Sequence, residues 1–258
     1  MSEYLFSQFR CNEFEDLYQQ LFEVFTIPQN YLSFLYEIMR KEFNMEGFPE
    51  HTLSRDIFHS STESFQKSYD DAWLIGVDIP SILEQNDNLL GKRTVVILGQ
   101  DPRRQSKERV EKITIGTPYA LHLNYCREKH RSTRLYFDLI RVLLNEGYRV
   151  YLTDVFKIWV SESNNGNHNI PLIEQDQKRF IKILKAELEI FEPLAVITWG
   201  QVATTTVNSI GLSGNHFEFP HPSPANHKTW SNLMGKPATR ANRINFWQEK
   251  VLAFLNKL

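Results

Sequence analysis

The chain has 258 residues, of which 41% are hydrophobic and 23% charged, and its formal net charge is −2. This length is enough to bury a large core and the 18 phenylalanines argue against disorder, so we expect one elaborated globular domain. Cys11 and Cys126 are the only cysteines, too few for a disulfide framework or a four-cysteine metal site, and no apolar run is long enough to span a membrane.

The first third of the chain has a helical pattern. Apolar side chains recur at intervals of three and four from Phe14 to Phe25, which predicts an amphipathic helix that ends before Pro28. A second helix follows and is expected to end near Gly47. The polar stretch after it gives no clear element. We therefore predict that residues 1–90 form a helical extension packed on the rest of the chain.

Strand and helix patterns alternate from residue 94 onward. Short apolar runs predict strands at residues 94–98, 148–152, 194–198 and 216–219. Amphipathic runs predict helices from a cap at Ser132 to Gly147, over 172–191, over 202–210 before Gly211, and over 239–256. This alternation is typical of a parallel sheet between helix layers. We predict a three-layer α/β/α sandwich with a central, mainly parallel sheet over residues 91–258.

The stretch TVVILGQDPRR at residues 94–104 is the most informative part of the sequence. An apolar strand stops at Gly99, and Pro102 biases Asp101 toward an extended conformation. Such a turn lies at the carboxyl edge of a parallel sheet, where open α/β folds bind their ligands. On these residues alone, Asp101 is either a catalytic carboxylate or the cap of a following helix.

A second motif, HFEFPHPSP at residues 216–224, places His221 between two prolines directly after another predicted strand. Polar residues also follow two further strands, as Asp154 and as Gly200 with Gln201. If the strands are parallel, all of these positions share one edge of the sheet.

Gly-Gln-Asp-Pro and His-Pro-Ser-Pro, in this order and each after a strand, resemble the paired motifs of the uracil-DNA glycosylase superfamily. The resemblance runs from about Val95 to the C-terminus. It implies hydrolysis of the N-glycosidic bond of a base flipped out of DNA, without a cofactor. Asp101 matches the family's carboxylate that stabilises the cationic sugar and orients a water, and His221 matches the donor that stabilises the leaving base. A neutral His221 would serve best.

The resemblance also implies a base-binding set, which comprises Gln100, Arg103, Tyr119 and Asp154. Tyr119 ends the segment Gly-Thr-Pro-Tyr, which is similar to the family segment that ends in a stacking aromatic. Asp154 falls where uracil-excising members carry Asn, with Thr153 as the alternative alignment. An ionised Asp only accepts hydrogen bonds, so Asp154 disfavours uracil and leaves a cytosine-type or modified base open.

Further positions depart from the family pattern or match its phosphate contacts. Arg103 replaces a Tyr that blocks bases with a C5 substituent, and Ala225 replaces a Leu that wedges into the duplex. Trp230, five residues further on, is a candidate for that wedge, and no sequence feature assigns it the role. The phosphate-binding candidates are Gly200, Gln201, Ser223 and Lys228.

The net charge lacks the basic excess of a typical nucleic-acid binder, but basic residues flank both motifs. They are Lys92, Arg93, Arg103, Arg104, Lys107 and Arg109, and then His227, Lys228, Lys236, Arg240 and Arg243. Solvated charges spread over the surface are an equally good interpretation of these residues.

We expect a monomer that binds single- or double-stranded DNA, with no metal, no cofactor and no membrane contact. The N-terminus lacks a signal-peptide pattern and cysteines are few, which favours the cytoplasm and excludes the iron–sulfur cluster of some superfamily branches. Two alternatives stay open. The first alternative to a DNA glycosylase is a non-catalytic member of the superfamily that binds nucleic acid or protein. The second is a hydrolase of free nucleosides, which the nearly neutral net charge would suit.

Overall fold

The computed structural model describes residues 3–10, 12–57, 69, 72–86, 93–104, 108–162, 171–211 and 215–258. Within these residues the strands are β1 (Tyr4–Phe6), β2 (His51–Leu53), β3 (Leu74–Asp78), β4 (Ser81–Gln85), β5 (Thr94–Gly99), β6 (Ile113–Gly116), β7 (Arg149–Asp154), β8 (Ile158–Ser161), β9 (Ala195–Trp199) and β10 (His216–Phe219). The α-helices are α1 (Glu13–Phe22), α2 (Gln29–Glu42), α3 (Asn124–Glu128), α4 (Thr133–Asn145), α5 (Glu174–Phe191), α6 (Gln201–Ser209), α7 (His227–Met234) and α8 (Arg240–Leu255).

A six-stranded central sheet has the strand order β1-β4-β7-β5-β9-β10. The last four strands are mutually parallel, whereas β4 is antiparallel to both of its neighbours. Every residue of β5 is buried, as expected for a continuous apolar strand covered on both faces. The predicted α/β fold with a mainly parallel central sheet is confirmed.

Helices cover both faces of this sheet. On one face, Trp247 of α8 donates its indole N–H to the Leu139 carbonyl of α4 at 2.8 Å and packs edge-on against Trp199 of β9. On the other face, Tyr151 of β7 stacks on Phe191 of α5 with ring centroids 4.0 Å apart. The sheet therefore lies between two helix layers.

The helical description of residues 1–90 needs correction. Helices α1 and α2 are present, but β1 and β4 belong to the central sheet. Strands β2 and β3 join β6 and β8 in a second, four-stranded sheet of order β2-β6-β3-β8. These N-terminal strands have only three to five residues, too few to show a period in the sequence. The boundary proposed at residue 90 lies outside the described residues and stays a prediction.

Some predicted helix ends also differ. Helix α1 ends at Phe22, before Phe25, and α2 ends at Glu42, before Gly47. The side chain of Ser132 makes no capping hydrogen bond. Within the described residues, no helix is long and apolar enough to cross a membrane.

Candidate active site

The carboxyl ends of the parallel strands bring the predicted site residues to one edge of the central sheet. Gly99 at the end of β5 is in register with Asp154 at the end of β7. The pairing continues past the strand ends, because Val155 and Phe156 donate their N–H groups to the carbonyls of Gly99 and Gln100 at 3.0 and 2.9 Å. Asp154 therefore lies at the end of β7, next to the turn after β5 that carries Asp101, and the two carboxyl groups are close enough to interact.

Gly99 leaves room for two of the predicted site residues. A Cβ at this position would collide with the carboxylate of Asp154 and the hydroxyl of Tyr119. Both groups therefore come close to the β5 backbone, which only glycine permits. Tyr119 reaches this point from a turn after β6 with a left-handed backbone at φ 59°.

The Tyr119 ring belongs to an aromatic cluster that includes His221. Its centroid lies 4.6 Å from that of Tyr136, 5.4 Å from that of Trp199 and 6.1 Å from the imidazole of His221. Within the described residues its buried hydroxyl has no hydrogen-bond partner. The ring is thus placed beside the histidine, and its role as a stacking platform stays a prediction.

Asp101 is partly buried and has a raised pKa. Burial raises the pKa of Asp101 to about 6, and the charge of Asp78 adds to this effect. A hydrogen bond from Gln100 Nε2 to Asp101 Oδ2 at 2.8 Å and the charge of Arg103 act in the opposite direction. A carboxylate with a pKa near 6 is ionised at neutral pH yet basic enough to accept a proton from water.

His221 is held as a neutral hydrogen-bond donor. The Ser223 N–H donates to Nδ1 of His221 at 3.2 Å, so Nδ1 carries the lone pair and the ring proton sits on Nε2. Burial lowers the pKa of His221 to about 4, so the ring is uncharged at neutral pH. This environment stabilises the neutral state that a donor to the leaving base requires.

Two side-chain hydrogen bonds to main-chain carbonyls hold the loop around His221 in place. Trp230 Nε1 donates to the His221 carbonyl at 3.2 Å, and an Arg243 guanidinium nitrogen donates to the Pro222 carbonyl at 3.0 Å. Because Trp230 is completely buried, the suggestion that it replaces the missing wedge is wrong. Trp230 supports the loop that carries His221 instead.

Three carboxyl groups interact at this edge: Asp78 from the end of β3, Asp101 and Asp154. Burial raises the pKa of Asp154 well above its usual value, and the charges of Asp78 and Asp101 raise it further, against Lys157 and Arg104. The raised pKa extends the pH range over which Asp154 is a neutral acid, and that form has one O–H donor and one carbonyl acceptor, as in Asn. The premise that Asp154 can only accept hydrogen bonds needs correction.

Arg103 and Arg104, which follow the first motif, lie in different environments. Arg103 is exposed beside Asp101. Arg104 forms an ion pair with the buried Asp78, and its side chain crosses Gly76 of β3, where a Cβ would clash with it. Sequence reasoning missed Asp78 and named Arg104 only among the basic residues that flank the first motif. Asp78 ends an apolar run, LIGVD, and that signal resembles the one that revealed Asp154.

A buried ion pair supports the backbone of Asp154. Lys157 Nζ donates to the Asp154 carbonyl at 2.6 Å, to Thr153 Oγ1 at 2.7 Å and to Glu187 Oε2 at 2.8 Å. Thr153 also donates to Glu187 of α5 at 3.1 Å. The Thr153 hydroxyl is therefore engaged with the helix layer, which favours Asp154 over Thr153 as the base-edge residue.

We expect Lys157→Met to lower the free energy of unfolding by about 3–5 kcal/mol, because it leaves Glu187 charged, buried and unpaired. Chemical denaturation measures this loss. Lys178→Met is the matched control, since Lys178 and Glu174 form an exposed pair and removing it should leave stability almost unchanged. Adding Glu187→Leu to Lys157→Met should recover part of the loss; equal stability of wild type and Lys157→Met contradicts the assignment.

The predicted phosphate contacts are only partly compatible with the hydrogen bonds. The Gly200 N–H donates to the Phe219 carbonyl at 2.9 Å, so Gly200 (φ 99°) serves the strand-to-helix turn and its amide is not free for a phosphate. Gln201, the first residue of α6, is exposed, as is Lys228, and Ser223 is partly buried. Phosphate binding at these three residues stays a prediction.

Several residues of the two basic clusters already have partners in the fold. Arg240 pairs with Asp138 at 2.5 Å, and Arg109 with Glu111 at 3.3 Å. Lys92 and Lys107 lie outside the described residues. The positive charge available to DNA is therefore smaller than the sequence count suggests.

Comparison with known families agrees with this geometry. The family model of the uracil DNA glycosylase superfamily matches residues 89–249, more than half of the chain. The protein belongs to the uracil DNA glycosylase superfamily, and this membership supports a DNA-glycosylase-like function in general, in base excision repair. A search of curated proteins found no match.

Proposed function

We propose that the protein is a monofunctional DNA glycosylase that hydrolyses the N-glycosidic bond of a flipped, damaged or modified base. The observation that carries this proposal is the position of Asp101 and His221 at one edge of the parallel sheet, with the Tyr119 ring beside the histidine. His221 is a neutral Nε2–H donor beside an aromatic ring, and Asp101 is a carboxylate with a pKa of about 6.

In this reaction the bond between C1′ and the base nitrogen breaks, and both of its electrons go to the base. His221 Nε2–H stabilises the negative charge on the leaving base, and the ionised Asp101 stabilises the cationic sugar. A water oxygen then bonds to C1′ while its proton passes to Asp101. The chemistry needs no cofactor: Asp101 gives up the proton it took from water, this proton neutralises the base through solvent, and the neutral base leaves the site.

Asp154 and Tyr119 would select the base. Tyr119 offers a ring for stacking at the point where Asp154 approaches β5. A neutral Asp154 donates to an oxygen and accepts from an N–H, which matches O4 and N3–H of uracil; an ionised Asp154 accepts from the exocyclic amine of cytosine. Since burial favours the neutral acid, we propose a deaminated, uracil-type edge as the preferred one.

A panel of single- and double-stranded oligonucleotides, each bearing one altered base, tests this proposal. We expect abasic sites in at least one of them, fastest with uracil-type bases and with single strands or mismatches, where flipping costs less. His221→Leu should remove this activity, whereas His130→Gln, a change at a histidine between α3 and α4, should retain it.

Other outcomes of the panel identify the alternatives. DNA binding with no base release from any substrate indicates a non-catalytic binding member. Release of base from free nucleosides but not from DNA indicates a nucleoside hydrolase. We also propose that the protein acts as a cytoplasmic monomer; the free, buried Cys126 is compatible with a reducing compartment.

A further inference from the structure

Two histidines and a glutamate form a cluster outside the proposed active site. Glu42, His51 and His122 each offer one ligand atom, and these atoms lie within 4.8 Å of one another. His51 Nε2 lies 2.8 and 2.9 Å from the two carboxylate oxygens of Glu42, and His122 Nε2 lies 4.0 Å from Oε2. Glu42 and His122 are buried, and the side chain of His51 is 16% exposed.

These residues come from three separate parts of the fold. Glu42 ends α2, His51 begins β2, and His122 follows the turn after β6. Strand β2 pairs with β6, with His51 in register with Ile115, which brings the two imidazoles together. The ring centroids of the histidines are 6.4 Å apart.

A contact with the Thr117 hydroxyl orients the ring of His122. Its Nδ1 lies 3.0 Å from Thr117 Oγ1, and both groups are buried. A hydrogen bond to one ring nitrogen that aims the other at a ligand cluster is the usual support of a metal-binding histidine.

We propose that Glu42, His51 and His122 bind a divalent transition metal, Zn²⁺ by preference. Two imidazoles and one carboxylate suit Zn²⁺ and leave a fourth position for water. In a tetrahedral site with bonds of about 2.0–2.1 Å, ligand atoms lie roughly 3.3 Å apart. The observed separations bracket this value, so small side-chain rotations bring all three groups to one ion.

The charges around the cluster are compatible with a cation. Arg104 and Arg127 lie nearby. Arg104 is paired with Asp78. Arg127 stacks over the Phe43 ring at 3.6 Å and donates to the carbonyls of Leu121 and Phe43. Both guanidinium groups are thus already engaged, and the Glu42 carboxylate faces the two imidazoles.

Metal binding would fix the position of the turn that carries Tyr119. Thr117 and His122 bracket the turn that carries Tyr119, in which Tyr119 and Ala120 both have left-handed backbones, at φ 59° and 53°. An ion on His122 would tie this turn to α2 and β2. The proposed ion would therefore hold the proposed stacking residue in place.

Zn²⁺ binding to the purified, metal-stripped full-length protein tests the proposal by calorimetry and by metal analysis after gel filtration. We expect one equivalent to bind and to raise Tm, because an ion that binds only the folded state stabilises it. His51→Gln and Glu42→Gln should weaken Zn²⁺ binding by more than tenfold, and Thr117→Val by about 10–100-fold. His227→Gln, at the exposed histidine of α7, should bind Zn²⁺ as the wild type does.

Circular dichroism first confirms that each variant is folded, and His51→Gln is the safest of them because His51 is the most exposed ligand. Less than a tenth of an equivalent of Zn²⁺ on the wild type overturns the proposal. So does equal binding by wild type and folded His51→Gln. These measurements do not depend on glycosylase activity.

Discussion

Base release by Asp101→Asn should fall by roughly 10²–10³-fold under single-turnover conditions, the loss typical of a preorganised electrostatic group. The substitution keeps the size of the side chain and removes the negative charge that would stabilise the cationic sugar. The neighbouring Gln100 amide can still bond to the remaining oxygen. The measurement is the rate of abasic-site formation with enzyme in excess over the best oligonucleotide of the panel.

Fold and DNA affinity should survive this change, as judged by Tm and by the Kd for an uncleaved oligonucleotide. Glu218→Gln is the matched control, because Glu218 is exposed on β10 and its replacement removes the same charge. Its rate should equal that of the wild type. If Asp101→Asn is as fast as the wild type, Asp101 has no part in the mechanism.

The rate of uracil release should follow a bell-shaped pH profile. Asp101 must be ionised, so the rate rises as the pH increases through its pKa of about 6. Asp154 must be protonated to donate to O4; its pKa is raised, so the donor form is present at low pH and is lost as the pH rises through that pKa. His221, with its pKa lowered to about 4, stays neutral throughout.

Asp154→Asn should remove the falling limb of this profile and keep the rising one, because the amide donates at every pH. The groups that face Asp154 are Asp78, Asp101, Lys157 and Arg104, so the two limbs report on a coupled set of charges. Asp78→Asn is the companion variant and should shift the falling limb to lower pH, since one repulsive charge is gone. Identical falling limbs in wild type and Asp154→Asn would show that Asp154 does not read the base.

The sequence predicts the parts of the site that follow long, continuous strands. The buried run of β5 stops at a polar turn, and the same signal marks Asp154 after β7. His221 follows the shorter, less buried β10 and is marked by its two flanking prolines. Strands β1, β2 and β4 carry no such signal, β3 carries it at Asp78, and the pairing of all four depends on distant partners.

A sequence pattern also cannot predict the protonation of a buried group or contacts between distant residues. The protonation of Asp154 depends on Asp78, which arrives from the second sheet, and on burial. The burial of Trp230 depends on how α7 packs, and a helical tryptophan next to a motif gives no hint of it. The histidines at 51 and 122 lie far apart in sequence, with no metal-ligand spacing to link them.

Gly99 has a consequence for directed evolution of this scaffold. At that point the Asp154 carboxylate and the Tyr119 hydroxyl lie against main chain, which is held by the bonds from Val155 and Phe156 to the carbonyls of Gly99 and Gln100, and no side chain can be added at Gly99. Libraries aimed at a new base preference should therefore leave position 99 constant. Diversity belongs at Arg103, Tyr119 and Asp154, the proposed base-binding residues that would act through their side chains.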